Sequence, residues 1–201
     1  MKKEFSFYEF VGLIVPSVSL LYIGQLIWIN SGHQSIIDFT KIGDSACFFI
    51  ICYGIGHLIQ GIGNHFESLL WWCYGGMPTK WLINKNRFGN YLFEKTYTQK
   101  QIDKLTNQFG NMKDCGLKAY NFLVISGAKT DRIDIFNSNY SLFRGLSITT
   151  IILFVDTWCV FSWKIAIIPF VVFILFLLRM IRFAKHYAKE IYRSFDNLKI
   201  N

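Results

Sequence analysis

None of the five cysteines stands in a C-x-x-C pair, and the four histidines form neither H-E-x-x-H nor H-x-x-x-H. A zinc or di-iron site built within one helix is therefore disfavoured, and no disulfide framework follows. No Walker A loop, dinucleotide fingerprint or G-x-S-x-G elbow occurs, which removes the commonest sequence signatures of nucleotide and acyl-transfer enzymes. Acid is scarce, with 13 Asp and Glu against 21 Lys and Arg, and so are long polar stretches, because 52% of the 201 residues are hydrophobic. The longest stretch between apolar segments, near 77 to 140, is about 65 residues, too short for a second large soluble domain.

What the chain has is four apolar runs, over 10–29, 46–65, 146–163 and 165–180. Each approaches the ~20 residues that cross a hydrocarbon core, the last two at the short end. Nineteen of the basic residues lie before the first run, between the second and third, or from Arg179 at the end of the fourth onward, and only Lys41 and Lys164 lie in the two other connections. The positive-inside rule then predicts cytoplasmic N- and C-termini, a cytoplasmic middle segment and two short outer connections. Nine acids sort to the inner side, giving it a net +10, while Asp38 and Asp44 balance Lys41 and Lys164 outside. Lys2 and Lys3 ahead of an apolar run resemble a signal peptide. The run is long, contains Pro16 and lacks a small-x-small cleavage pattern, so a retained first helix is expected. The Lys, Asn, Ile and Phe bias suggests a bacterial inner membrane.

The expected fold is an all-α integral membrane protein of two antiparallel transmembrane hairpins, 1–76 and 144–201, around a small cytoplasmic domain at 77–143, with a helical cytoplasmic tail. Trp28, Trp158 and Trp163 mark the outer interface, and Trp71 and Trp72 the inner one. Helix two continues to the breaker Gly75-Gly76. Residues 97–119 have helical spacing with Thr98 as N-cap. The stretch 80–97 reads as a short helix and a hairpin about Gly89-Asn90, and 131–140, with Ile133, Ile135 and Tyr140 alternating, as a strand or loop.

The second run carries His57, Gln60, Asn64 and Glu67 at i, i+3, i+7 and i+10, which stacks them on one helix face. Gly54, Gly56, Gly61 and Gly63 allow close approach by a neighbouring helix. Polar groups at membrane depth are a functional-site hypothesis by default. The face lines a pore or subunit seam, holds helices together, or serves catalysis. Asp156, about 10 Å below the outer surface by helical rise, faces a water-filled cavity or meets Lys164 or the Trp158 region. His65-x-Glu67 matches half of a zinc deaminase signature whose cysteine half is missing, and Arg179 to His186 has a weak ribonuclease-like spacing.

The cytoplasmic run Lys80, Trp81, Lys85, Arg87, Phe88, Tyr91 and Lys95 interleaves cations with rings, as binders of single-stranded nucleic acid do, and as segments against lipid head groups also do. A second basic face follows span four, with Arg182, Lys185, His186, Lys189 and Arg193. No metal or cofactor is expected.

The segments Gly56-His57-Leu58-Ile59-Gln60-Gly61-Ile62-Gly63-Asn64 and Tyr140-Ser141-Leu142-Phe143-Arg144, with the tail from Arg182 to Phe195, resemble the transmembrane effectors of Hailong-type bacterial anti-phage defence systems. The resemblance implies a homo-oligomeric ion channel, a tetramer, held closed by a short single-stranded DNA ligand made by a partner nucleotidyltransferase, and it assigns no residues. The expected function is a ligand-gated, membrane-depolarising defence effector, not an enzyme. The alternatives are a membrane enzyme on a lipid or polyprenyl substrate, using His57, His65, Glu67 and Asp156, and a non-catalytic membrane scaffold.

Overall fold

The computed structural model describes residues 7–35, 42–110 and 114–198. It contains six α-helices, namely α1 (Phe7–Asn30), α2 (Ile42–Tyr74), α3 (Lys95–Phe109), α4 (Cys115–Ile125), α5 (Asp131–Val160) and α6 (Trp163–Asn197), with a 3-10 turn at Pro78–Lys80. No strand occurs among the described residues, so the all-α expectation holds. Helices α1, α2, α5 and α6 are long and apolar enough to cross a membrane. Lys2, Lys3, Asp38 and Lys41 lie outside the described residues, as does Met112, and the side chain of Asp44 is not described.

The chain divides into two compact units, the first comprising 1–66 with 138–180 and the second 67–137 with 181–201. The first unit buries hydroxyls and small residues beside apolar ones such as Phe48, Ile59 and Leu153. Ser17, Ser147, Thr149, Thr150 and Thr157 are buried along with Cys52 and Ala166, while Ile50, Leu58, Ile168 and Leu175 are exposed. Helices surrounded by lipid gain nothing by hiding leucine, so small and hydroxyl-bearing residues take the contacts and let backbones approach. Each buried hydroxyl is satisfied locally, as in Thr157 Oγ1 to Leu153 O at 2.6 Å, or across helices, as in Thr149 Oγ1 to Pro16 O at 3.0 Å. A Cβ on Gly56 would stand 2.6 Å from the Leu13 carbonyl oxygen, and one on Gly145 2.8 Å from Pro16 Cγ, so α1 meets α2 and α5 through glycine.

The second unit has a conventional apolar core of Leu105, Ala119, Leu123, Ile191, Tyr192 and Phe195. Phe109, Phe122 and Phe195 close it as a ring triad with centroids 5.7 to 5.8 Å apart. Lys104 Nζ donates to the carbonyls of Phe195 and Asp196, at 3.1 and 2.6 Å, capping the end of α6 with a cation where the helix dipole favours one. Helix α2 ends at Gly75 and Gly76, both at positive φ. Gly76 N–H reaches back to Trp71 O and Gly75 N–H to Trp72 O, a Schellman closure that only glycine makes without strain.

Four local expectations are corrected. Residues 131–140 are the first turns of α5, because Ile133 and Tyr140 lie seven apart on one buried helix face while Ile135 is exposed. Thr130 caps that start, its carbonyl receiving the Asp134 N–H at 2.9 Å and its hydroxyl donating to the Asp134 carboxylate at 3.0 Å. Thr98 lies inside α3 rather than at its cap, and its buried hydroxyl donates to Glu94 O at 3.0 Å. The stretch 97–119 is broken after Phe109, where Gly110 takes φ 64. About Gly89-Asn90 there is a turn held by Asn86, whose Oδ1 accepts from Phe88 and Asn90 N–H, with no paired strands on either side.

Candidate functional site

Within the first unit the polar stripe of α2 divides. Gln60 is half-buried and turned toward α1 and α5, where its Nε2 donates to Gly12 O at 3.0 Å and Ser141 O at 3.2 Å. Gly12 is the residue four before Pro16, which has no N–H, so its carbonyl lacks the usual helical donor and Gln60 supplies one. Gln60 Oε1 in turn accepts from Arg144, 2.7 Å from Nη2 and 3.2 Å from Nε. The Arg144 guanidinium lies 5.8 Å from the centre of the Tyr140 ring, and its stem packs where a Cβ on Gly63 would be. Gln60 therefore joins three helices.

His57 and Asn64 are exposed on the adjoining face of α2, with Gly54 and Gly61, turned away from the buried Cys52, Ile59 and Gly63. These four follow one another at i, i+3, i+7 and i+10. A Cβ at Gly54 or Gly61 would meet nothing within 4 Å, unlike one at Gly56 or Gly63. The two glycine pairs thus have different surroundings: one is used for packing within the chain, and the other is open. His57 stacks edge-on with Tyr53 at 4.7 Å. Asp156 is half-buried on α5, and among the described residues no hydrogen bond or ion pair joins it to His57, Gln60 or Lys164. Glu67 is half-buried and belongs to the second unit.

In the second unit most of the basic residues singled out from the sequence lie over rings. Lys85 stands 5.4 Å from the Tyr91 centroid, Arg87 5.6 Å from Trp72 and Lys185 5.7 Å from Trp81. Phe88 is 67% exposed and offers an open ring face. Trp81 differs from the sequence expectation, being 1% exposed with its indole N–H donating to Gly76 O at 2.9 Å, so its ring serves packing rather than stacking on a ligand. Lys80, Lys95 and Arg182 are exposed. His186 stacks on Phe136 at 5.5 Å, with Arg182 Nε 3.5 Å from its Nε2.

Lys189 and Arg193, one turn apart on α6, converge on Phe93, at 5.8 and 5.9 Å from its centroid. They line an open cleft of about 520 Å³ with Phe93, Glu94, Tyr97 and Asn197. The Tyr97 hydroxyl donates to Asp196 at 3.2 Å, and burial, then the Asp196 charge, hold its pKa above the usual tyrosine value. Sequence reasoning placed the two cations on a helix face and the rings of 80–97 in a separate basic run, but did not join Phe93 and Tyr97 to Lys189 and Arg193. The four-residue spacing of Phe93 and Tyr97 sets one ring edge-on to the other across the start of α3, with centroids 4.8 Å apart. Arg144 was read only as a basic residue flanking span three, and its bond to Gln60 joins positions far apart in the chain.

No family model matches the chain, and neither does any curated protein or solved structure.

Proposed function

We propose that the chain is the subunit of a homo-oligomeric ion channel in a bacterial inner membrane, with both termini cytoplasmic. In this reading it acts as a membrane-depolarising defence effector gated by a nucleotide or short single-stranded DNA on its cytoplasmic face. The observation that supports the reading best is the open side of α2, where Gly54, His57, Gly61 and Asn64 form a small and polar face on a helix long enough to span the bilayer. Against lipid tails such a face is costly, and against water or a second copy of α2 it is not. Four helices are too few to enclose a hydrated path, so the path requires several copies around an axis, four in the expectation from resemblance.

The cations over rings in the second unit suit a polyanionic ligand, because rings that already hold cations can also stack bases. Such a ligand biases the gate only if it binds the closed and open states with different affinity. The test is ion flux from vesicles reconstituted with the purified protein. Flux in the wild type, reduced by His57→Leu and Asn64→Leu and altered by oligonucleotide, is expected. No flux from the wild type would overturn the channel reading, and wild-type flux in both variants would remove α2 from the path.

A further inference from the structure

We infer that the cleft formed by Phe93, Tyr97, Lys189 and Arg193 binds a phosphomonoester carried on a flat ring, that is, the terminal phosphate of a nucleotide rather than an internal phosphodiester. The inference deepens the ligand half of the proposed function and rests on it only for the role such binding would play.

The first argument is charge. Lys189 and Arg193 approach the same ring, and neither makes an ion pair among the described residues. The acids nearest them on α6 are engaged elsewhere. Glu190 lies 3.4 Å from Arg132, and Asp196 lies 3.6 Å from both Lys100 and Lys104 and accepts from Tyr97. Two converging cations match a monoester, which carries about −1.5 to −2 near neutral pH, better than a diester with its single charge. Glu94 lines the cleft without closing a salt bridge to either cation, and its charge raises the threshold an anion must meet. A diester would neutralise one cation and still face that carboxylate.

The second argument is shape. Phe93 and Tyr97 are half-buried, so each is held in place while part of its surface stays accessible. The cleft's 520 Å³ falls within the ~300 to 1,000 Å³ typical of small-molecule sites. Two cations over the Phe93 ring, with the Tyr97 ring edge-on beside it, bring phosphate-binding charge and a ring surface together in one cleft, the combination that holds a phosphorylated base. The exposed loop cations Lys85 and Arg87, each over its own ring, have no such convergence and suit a backbone of single charges.

The experiment is equilibrium binding to the full chain in detergent, using adenosine 5′-monophosphate, its phosphate methyl ester, adenosine, inorganic phosphate, and vesicles containing a phosphoinositide monoester. The monophosphate should bind at least tenfold more tightly than the methyl ester, and adenosine should not bind. Lys189→Gln with Arg193→Gln should abolish binding, and Phe93→Leu should weaken the monophosphate but not inorganic phosphate. Glu94→Gln should tighten binding several-fold, a gain that misfolding cannot produce. Equal affinity for the monophosphate and the methyl ester, unchanged binding in the double variant, or binding of the phosphoinositide vesicles alone would overturn the assignment. Ion flux in ligand-free vesicles judges the channel reading separately.

Discussion

Gln60 Nε2 stands 3.0 Å from the Gly12 carbonyl, the acceptor that Pro16 deprives of its helical partner. A defect in one membrane helix is thus filled by a side chain from another. Replacing Gln60 by Leu removes that donor and also one acceptor of the Arg144 guanidinium, at 2.7 Å. The expected loss is about 1 to 3 kcal/mol. In a Pro16→Ala background the Gly12 carbonyl regains an N–H, so the same substitution should cost less, by about 1 kcal/mol. Denaturant unfolding of the four proteins in detergent supplies the cycle. Equal losses in both backgrounds would show that Pro16 and Gln60 are not coupled.

The two glycine pairs of α2 predict opposite responses. Alanine at Gly56 places a carbon 2.6 Å from backbone that cannot move aside cheaply, and should destabilise the chain by about 1 to 3 kcal/mol. Leucine at Gly54 or Gly61 starts from a Cβ that meets nothing within 4 Å, so it should leave unfolding nearly unchanged while reducing the cross-linked oligomer. Cross-linking yields that do not change at either position would place the subunit seam on another helix.

How much could be read from the sequence depended on whether a contact is local. The four long helices follow from run length, and the end of α2 follows from the Gly75-Gly76 pair. The start of α5 misled because Ile133 and Ile135 look alternate over three residues. The deciding signs were Tyr140, seven beyond Ile133, and the Thr130 to Asp134 cap. Gln60 was visible as a polar residue in an apolar run, and Pro16 as a source of a bare carbonyl, yet nothing in one sequence joins positions 48 residues apart. The cleft is a similar case. The i, i+4 spacing of Lys189 and Arg193 is legible, while the ring they share comes from the far side of the second unit's sequence.

Gln101 is wholly buried, and although its amide lies near enough to the Tyr97 hydroxyl to lower that group's pKa, neither amide atom meets hydrogen-bond geometry with a partner among the described residues. An unmet amide inside a core opposes folding, so methionine of similar length should raise stability by about 1 to 2 kcal/mol. Thermal unfolding of Gln101→Met measures it. A loss of stability would mean that the amide is hydrated or bonded in the assembled protein.

Topology is open to direct test in a background whose native cysteines have been replaced. His33→Cys lies in the first connection and Lys85→Cys in the middle segment, and both positions are exposed. A membrane-impermeant maleimide added to intact spheroplasts should label the first, and should label the second only after permeabilisation. The reverse pattern would invert the orientation read from the basic residues.

The Tyr120 hydroxyl donates to Asp134 at 3.2 Å. Burial first, then the Asp134 charge and that hydrogen bond, push its pKa up to about 12. The folded chain therefore holds this proton more tightly than the unfolded chain, whose tyrosine titrates near 10. The contribution to stability is complete below about pH 10 and is lost as pH rises toward 12. Tyr120→Phe has no proton to lose, so its unfolding midpoint should fall less steeply than that of the wild type over this interval. Parallel profiles would mean that the Tyr120 to Asp134 contact does not persist in solution.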